Sequence, residues 1–197
     1  MVKRKLKLFF DMDETIVNLT ESIIQEYNKD FKDNYDYKQN RSYWWADTLA
    51  PRSYYEKILQ KESVFLRAKP VKGMIELMNR LHEEGFEIHI ITYPTRDSKF
   101  CAYEKYEWIN KYLPWFDTQK YLHCSGNKQL MASWDRVLID DNLDYLSSWN
   151  IFGTSICFGD YGWNENYKGI KVTNAIDLYD KIWEMEKYIN ERLENLN

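Results

Sequence analysis

Cysteine, histidine, proline and glycine are all scarce in this chain of 197 residues, with three, three, four and seven copies. Cys101, Cys124 and Cys157 are far apart, odd in number and form no C-x-x-C pair. That excludes a disulfide framework and points to a reducing cytoplasm. His82, His89 and His123 lack ligand-like spacing, so they read as structural rather than metal-binding. No apolar run is long enough to span a bilayer. The opening "MVKRKLKLFF" is basic, but its apolar stretch is too short for a signal peptide. Basic excess is missing too. The net charge is −4, which excludes a nucleic-acid polymer as main partner but leaves room for a small anion in a local basic pocket. There are no repeats and no low-complexity segments.

What is present suffices for one compact domain, or a domain with a modest insertion. Hydrophobic residues make up 44% and charged ones 29%, enough for a sizeable core. Aromatics reach 17%, mostly Tyr and Trp, which suit both cores and ligand pockets.

The four prolines and the glycines punctuate the pattern. Lys5–Phe10 reads as a short buried strand closed by an acidic turn. Thr20–Phe31 reads as an amphipathic helix with Ile23, Ile24, Tyr27 and Phe31 on one side, capped by Asn18 or Thr20. Helices over Val71–His82 and Lys99–Tyr112 flank the β-branched strand Phe86–Pro94. Further strands are expected at Tyr121–Cys124, Arg136–Asp141, Thr154–Gly159 and Gly169–Val172, with a terminal helix over Ala175–Leu196. Alternation of this kind predicts an α/β fold: a Rossmann-like parallel sheet flanked by helices. Residues 17–69 show no convincing strand and are rich in aromatics. They are expected to form a small helical cap inserted after the first strand, between core segments 1–16 and 70–197.

In such sheets ligands bind outside the carboxyl ends of the strands. Three apolar strands carry polar groups there: Asp11 and Asp13, Thr92, and Asp140 and Asp141. Either acidic pair alone is more often a turn or a helix cap. Together they place four carboxylates at one edge, which cannot all stay ionised without a cation. Hard oxygen donors favour Mg²⁺. One Asp can attack phosphorus, and the second, two residues on, can carry the proton of the leaving oxygen. The Thr92 hydroxyl and the Lys128 ammonium, the latter opening a weak helix in "SGNKQ", can hold a phosphoryl group.

The ordered set "DMDET" (11–15), "IITYP" (90–94), Lys128 and "LIDDN" (138–142) resembles the haloacid-dehalogenase-like phosphohydrolases. Within them, "KFCAYEKYEWINKYL" (99–113) is similar to the 5'(3')-deoxyribonucleotidases, a likeness that runs from Leu8 to about Asp141 and weakens beyond. The resemblance implies Asp11 as nucleophile and metal ligand, and Asp13 as acid/base offering its backbone carbonyl to the metal. Asp141 would be a further ligand supported by Asp140. Thr92, Arg96, Lys105 and Lys128 would hold phosphate or orient the acids. Departures from the family are Glu14 where glycine is usual, Tyr93 where serine is common, Arg96 where lysine is usual, and a missing arginine two positions before Lys128. The cap would select substrate, with Tyr43, Trp44, Trp45 and Phe65 as candidates for stacking a base. Lys105, with Glu104 or Glu107, reads equally well as a solvated helix pair.

The function implied is a Mg²⁺-dependent deoxyribonucleotidase in the cytoplasm, acting on deoxynucleoside monophosphates through an aspartyl-phosphate. No membrane or polymer partner is expected, and a homodimer is one option for assembly. The alternatives are a sugar-phosphate or metabolite phosphatase, and a non-catalytic nucleotide-binding module.

Overall fold

A computed structural model describes residues 6–36 and 52–194. Six parallel strands make one sheet. They are β1 (Lys7–Phe10), β4 (Glu87–Thr92), β5 (Leu122–Cys124), β6 (Arg136–Asp140), β7 (Thr154–Phe158) and β8 (Lys171–Val172). Their spatial order is β5-β4-β1-β6-β7-β8, so β1 lies centrally and both its neighbours run parallel to it. Strands buried on both faces read as continuous apolar runs, and "LFF" does so for this reason. Leu8 and Phe10 join the larger core with Ile88, Ile90, Val137 and Ile139. Phe9 points the other way, into a cluster with Ile91, Leu138, Leu146 and Trp149.

The helices are α1 (Leu19–Phe31), α2 (Arg52–Leu59), α3 (Met74–Glu83), α4 (Cys101–Tyr112), α5 (Thr118–Tyr121), α6 (Leu143–Trp149) and α7 (Ala175–Glu194). The sheet and its helices match the expected α/β architecture. Several details differ. The third helix begins at Met74 rather than Val71, because Gly73 takes a left-handed conformation that the helix cannot include. The weak helix at Lys128 is a single 3₁₀ turn, Lys128–Met131. Helix α6 was not foreseen, although Asn142 caps it through the N–H groups of Asp144 and Tyr145.

The segment expected to lack strands holds most of a tiny ribbon. Val17–Asn18 (β2) pairs antiparallel with Lys69–Pro70 (β3). Two residues are too few for periodicity to register. The ribbon closes the chain at the point where it leaves and re-enters the sheet layer, and α1 and α2 lie between its strands in sequence. Lys61 ties that region together through Glu26 and Asp30, at 2.9 and 3.1 Å. Phe31, expected on the buried side, is exposed, with its ring against Tyr54 at 4.9 Å between centroids.

Candidate active site

Because β1, β4 and β6 run parallel, their carboxyl ends meet at one edge. Asp11 follows Phe10 directly and donates its N–H to Ile139 of β6 at 2.8 Å, so its backbone is fixed to the sheet. Thr92 ends β4, Asp140 ends β6, and Asp141 follows. Carboxylate oxygens of Asp11, Asp140 and Asp141 lie within 4.8 Å of one another, and all three residues are buried.

Two lysines divide the acids between them. Lys128 donates to Asp11 Oδ1 and, at 2.7 Å, to Asp140 Oδ2. Lys105 donates to Asp13 Oδ2 at 2.5 Å and to Thr92 Oγ1 at 2.8 Å. Both ammonium groups are buried, which by itself disfavours their charge, yet the facing carboxylates hold each above the usual lysine range.

Asp140 is fully engaged, since its Oδ1 accepts from the Asn142 N–H at 2.9 Å. Asp141 accepts from the Trp163 indole N–H at Oδ2, 2.8 Å. That leaves Asp11 Oδ2 and Asp141 Oδ1 without hydrogen bonds among the described residues. Burial pushes the Asp11 carboxyl up to about 7 against the pull of Lys128. Asp141 is raised well above its ordinary value by burial, then by Asp140 and Asp11. An uncompensated cluster of hard oxygen donors fits Mg²⁺. Asp11 and Asp141 present open oxygens for it, while Asp140 secures Lys128.

Asp13 differs from Asp11 in kind. Its carboxylate stands outside the trio, and with Oδ2 held by Lys105, its buried Oδ1 has no partner among the described residues. Glu14 follows at φ 57°, in the left-handed region where a glycine is at ease. Its Oε1 accepts the Thr20 N–H at 2.6 Å, doing for the start of α1 what the Asn18 side chain does not. Burial raises its carboxyl to about 7, opposed by that same N–H.

The acids open into a cavity of about 580 Å³, whose wall includes Leu19, Ile23, Tyr55, Leu59, Phe65 and Tyr93. Phe65 is delivered by α4 chemistry. Glu104 accepts the N–H groups of Ser63, Phe65 and Leu66 at 2.5, 3.0 and 3.3 Å. Trp108 donates to the Ala68 carbonyl at 2.7 Å. In "CAYEKYEW", then, Glu104 and Trp108 hold the 63–68 turn, Lys105 holds Asp13 and Thr92, and Cys101 borders the cavity. Lys105 is not part of a solvated helix pair, and it does not line the cavity.

Arg96 is exposed and lies outside the cavity lining, whereas its neighbours Thr95 and Asp97 border it. Tyr43, Trp44 and Trp45 lie outside the described residues. The residues that sequence reasoning missed come after β7. Gly159, at φ 88°, turns the chain back, and a Cβ there would meet the Tyr161 ring at 2.2 Å. The turn brings Tyr161 and Trp163 into a parallel stack, 4.6 Å between centroids. Tyr161 OH donates to the Glu14 carbonyl at 2.8 Å while Trp163 holds Asp141. "FGDYGWN", a glycine and aromatics just past a fourth strand end, was the available signal.

Comparison with known proteins places these features by family, by relatives and by fold. The family model described as "5' nucleotidase, deoxy (Pyrimidine), cytosolic type C protein" matches residues 4–187, well beyond Asp141. The mitochondrial 5'(3')-deoxyribonucleotidase of Homo sapiens is 26% identical over 151 residues, covering 72% of this chain. The match spans 64% of the human protein's length, just under two thirds. Among solved structures, a HAD family hydrolase from Deinococcus radiodurans with bound phosphate and sodium aligns at TM-score 0.62 and 10% identity, covering 90% of this chain and 95% of that one. A haloacid dehalogenase-like family hydrolase from Streptococcus pneumoniae aligns at TM-score 0.58 and 15% identity, covering 90% and 99%. At those identities the likeness is one of fold.

Proposed function

Since the chain belongs to the deoxy (pyrimidine) cytosolic type C 5' nucleotidase family, we propose that it is a Mg²⁺-dependent 5'(3')-deoxyribonucleotidase that releases phosphate from deoxynucleoside monophosphates. The observation carrying this reading is the split between the two acids. Asp11 has one oxygen on Lys128 and one open, as a nucleophile requires. Asp13 has one oxygen on Lys105 and one open, as a proton carrier requires.

The steps follow from these partners. The Asp11 carboxylate attacks phosphorus, displacing the sugar oxygen, and becomes the aspartyl-phosphate. Asp13 Oδ1 gives its proton to the leaving sugar oxygen, then takes one from the water that cleaves the acyl-phosphate. Lys128 balances charge on Asp11 and the phosphoryl oxygens, and Lys105 keeps Asp13 and Thr92 in register. Asp11, Asp141 and the Asp13 backbone carbonyl would hold Mg²⁺, which would supply stabilisation of the charge in phosphoryl transfer.

The apolar wall of Leu19, Ile23, Leu59 and Phe65 favours a nucleoside over a bare sugar phosphate. The cytoplasm is the compartment consistent with three free thiols, Cys101, Cys124 and Cys157. No helix among the described residues is long and apolar enough to cross a membrane. A phosphate-release panel over nucleotides and sugar phosphates, with and without Mg²⁺, tests the proposal. Deoxynucleotide hydrolysis that needs Mg²⁺ and disappears in Asp11→Asn is the expected result. Equal rates on sugar phosphates would remove the nucleotidase assignment, and no hydrolysis at all would leave only a binding module.

A further inference from the structure

Two of the three histidines stand 34 positions apart in the chain, and the sheet brings their rings together. In the parallel pairing of β4 with β5, Ile91 lies opposite His123. His89 precedes Ile91 by two residues, so it shares a sheet face with His123. His89 Nδ1 and His123 Nε2 face each other at 2.9 Å. Phe9 stacks on His89 with ring planes 2° apart, which fixes that imidazole. Both histidines are partly exposed, and β5 is the edge strand of the sheet among the described residues.

The outer partners settle which nitrogen carries hydrogen. His89 Nε2 lies 3.1 Å from Glu87 Oε1. Burial opposes the charge of Glu87, but His89 and Lys7 hold its carboxyl below the ordinary value. An ionised carboxylate only accepts, so His89 Nε2 carries the proton and Nδ1 presents a lone pair. His123 Nε2 then donates to that lone pair. A carboxylate on the outer N–H of a histidine is also what orients imidazoles at metal centres.

Two imidazole nitrogens on one tetrahedral Zn²⁺, each at about 2.0–2.1 Å, stand about 3.3 Å apart. The facing nitrogens are a few tenths of an ångström closer, and a turn of the partly exposed His123 ring makes up the difference. Burial lowers the basicity of both rings, so they are neutral and ready to ligate at neutral pH. Arg136 and Lys7 oppose a cation here, and Glu87 attracts one.

We propose that His89 Nδ1 and His123 Nε2 bind a divalent transition-metal ion, Zn²⁺ or one of its class, with water completing the coordination. The ion takes the place of the shared hydrogen. His123 loses its Nε2 proton to water and gains one at Nδ1, so it stays neutral. Imidazole selects Zn²⁺ over Mg²⁺, whose hard-oxygen ligands lie at the strand ends. The inference is independent of the nucleotidase reading.

Histidine side-chain NMR of the full chain, titrated with Zn²⁺ in excess Mg²⁺, is the test. His82, stacked on Trp115 at 4.0 Å, serves as internal reference. The ring-nitrogen signals of His89 and His123 are expected to shift saturably, with His123 changing from Nε2–H to Nδ1–H, while His82 stays in place. His123→Gln should remove the Zn²⁺ response of His89. Signals of His89 and His123 that do not move, or that move no more than His82, overturn the inference. So does a His89 response that persists in His123→Gln.

Discussion

Lys128 links the nucleophile to the sheet edge, and it shows how site and stability share one electrostatic arrangement. Its ammonium lies between Asp11 and Asp140 with almost no solvent contact. Removing one partner of a buried ion pair leaves an uncompensated charge, typically costing about 3–5 kcal/mol. Lys128→Met is therefore expected to lower unfolding free energy by roughly that amount, and to abolish phosphate release. The loss should be larger at pH 8 than at pH 6, because Asp11, already pushed up to about 7, escapes the unpaired state by protonating in acid. Urea denaturation at the two pH values checks this. A loss under about 1 kcal/mol at pH 8 would contradict it. Asp11, Asp13, Thr92, Lys128, Asp140 and Asp141 were all legible in the sequence, since each ends or directly follows an apolar strand or turn. Arg96 was not placed by the sequence, since a polar loop gives no facing direction, and the structure leaves it exposed outside the cavity lining.

At the scale of elements, the loop between β7 and β8 supplies Trp163, a residue outside the motifs read from the sequence. Trp163 fixes Asp141 through Oδ2, leaving Oδ1 without a hydrogen bond among the described residues. Groups that orient a metal ligand typically carry about 10–100-fold in metal affinity. Trp163→Phe keeps the ring that stacks on Tyr161 and loses only the indole N–H. Calorimetric titration with Mg²⁺ should show affinity reduced about 10-fold or more, with the melting temperature of the metal-free protein little changed. An unaltered Mg²⁺ affinity would mean that Asp141 holds its geometry without the tryptophan. Helix α4 tells the complementary story. Its periodicity was plain and the resemblance pointed to Lys105, but the partners of Glu104 and Trp108 were hidden, because a helix pattern shows which side is buried and not which partner waits there. Glu104 reads as a surface acid in sequence, and only the fold places three backbone N–H groups against it.

Across the whole molecule, acid stability also depends on a histidine pair within the sheet. His89 and His123 face each other across β4 and β5 at 2.9 Å, and His89 stacks on Phe9 at 4.3 Å. Burial depresses both below the usual histidine value, opposed at His89 by Glu87. The unfolded chain therefore takes up protons first as pH falls. The stabilising contribution is present above about pH 6.5 and lost as pH drops through the depressed folded values. Asp11, Glu14 and Asp141, raised in the fold, contribute with the opposite sign, gaining on acidification. The difference between the parent and His89→Gln/His123→Gln isolates the histidines. The double variant should lose less unfolding free energy than the parent between pH 7 and pH 5. Parallel pH profiles would show that the pair is not the source.

The sequence by itself determined the alternation of strands and helices and the polar groups at strand ends. It did so because burial on two faces writes a continuous apolar run, and a site at the sheet edge writes acids where that run stops. Only the tertiary structure decided how the acids divide. Which lysine meets Asp11 and which meets Asp13 depends on contacts between residues 117 and 92 positions apart. A linear pattern carries residue type and spacing, and a pairing of charges across a folded sheet is a distance that neither one encodes.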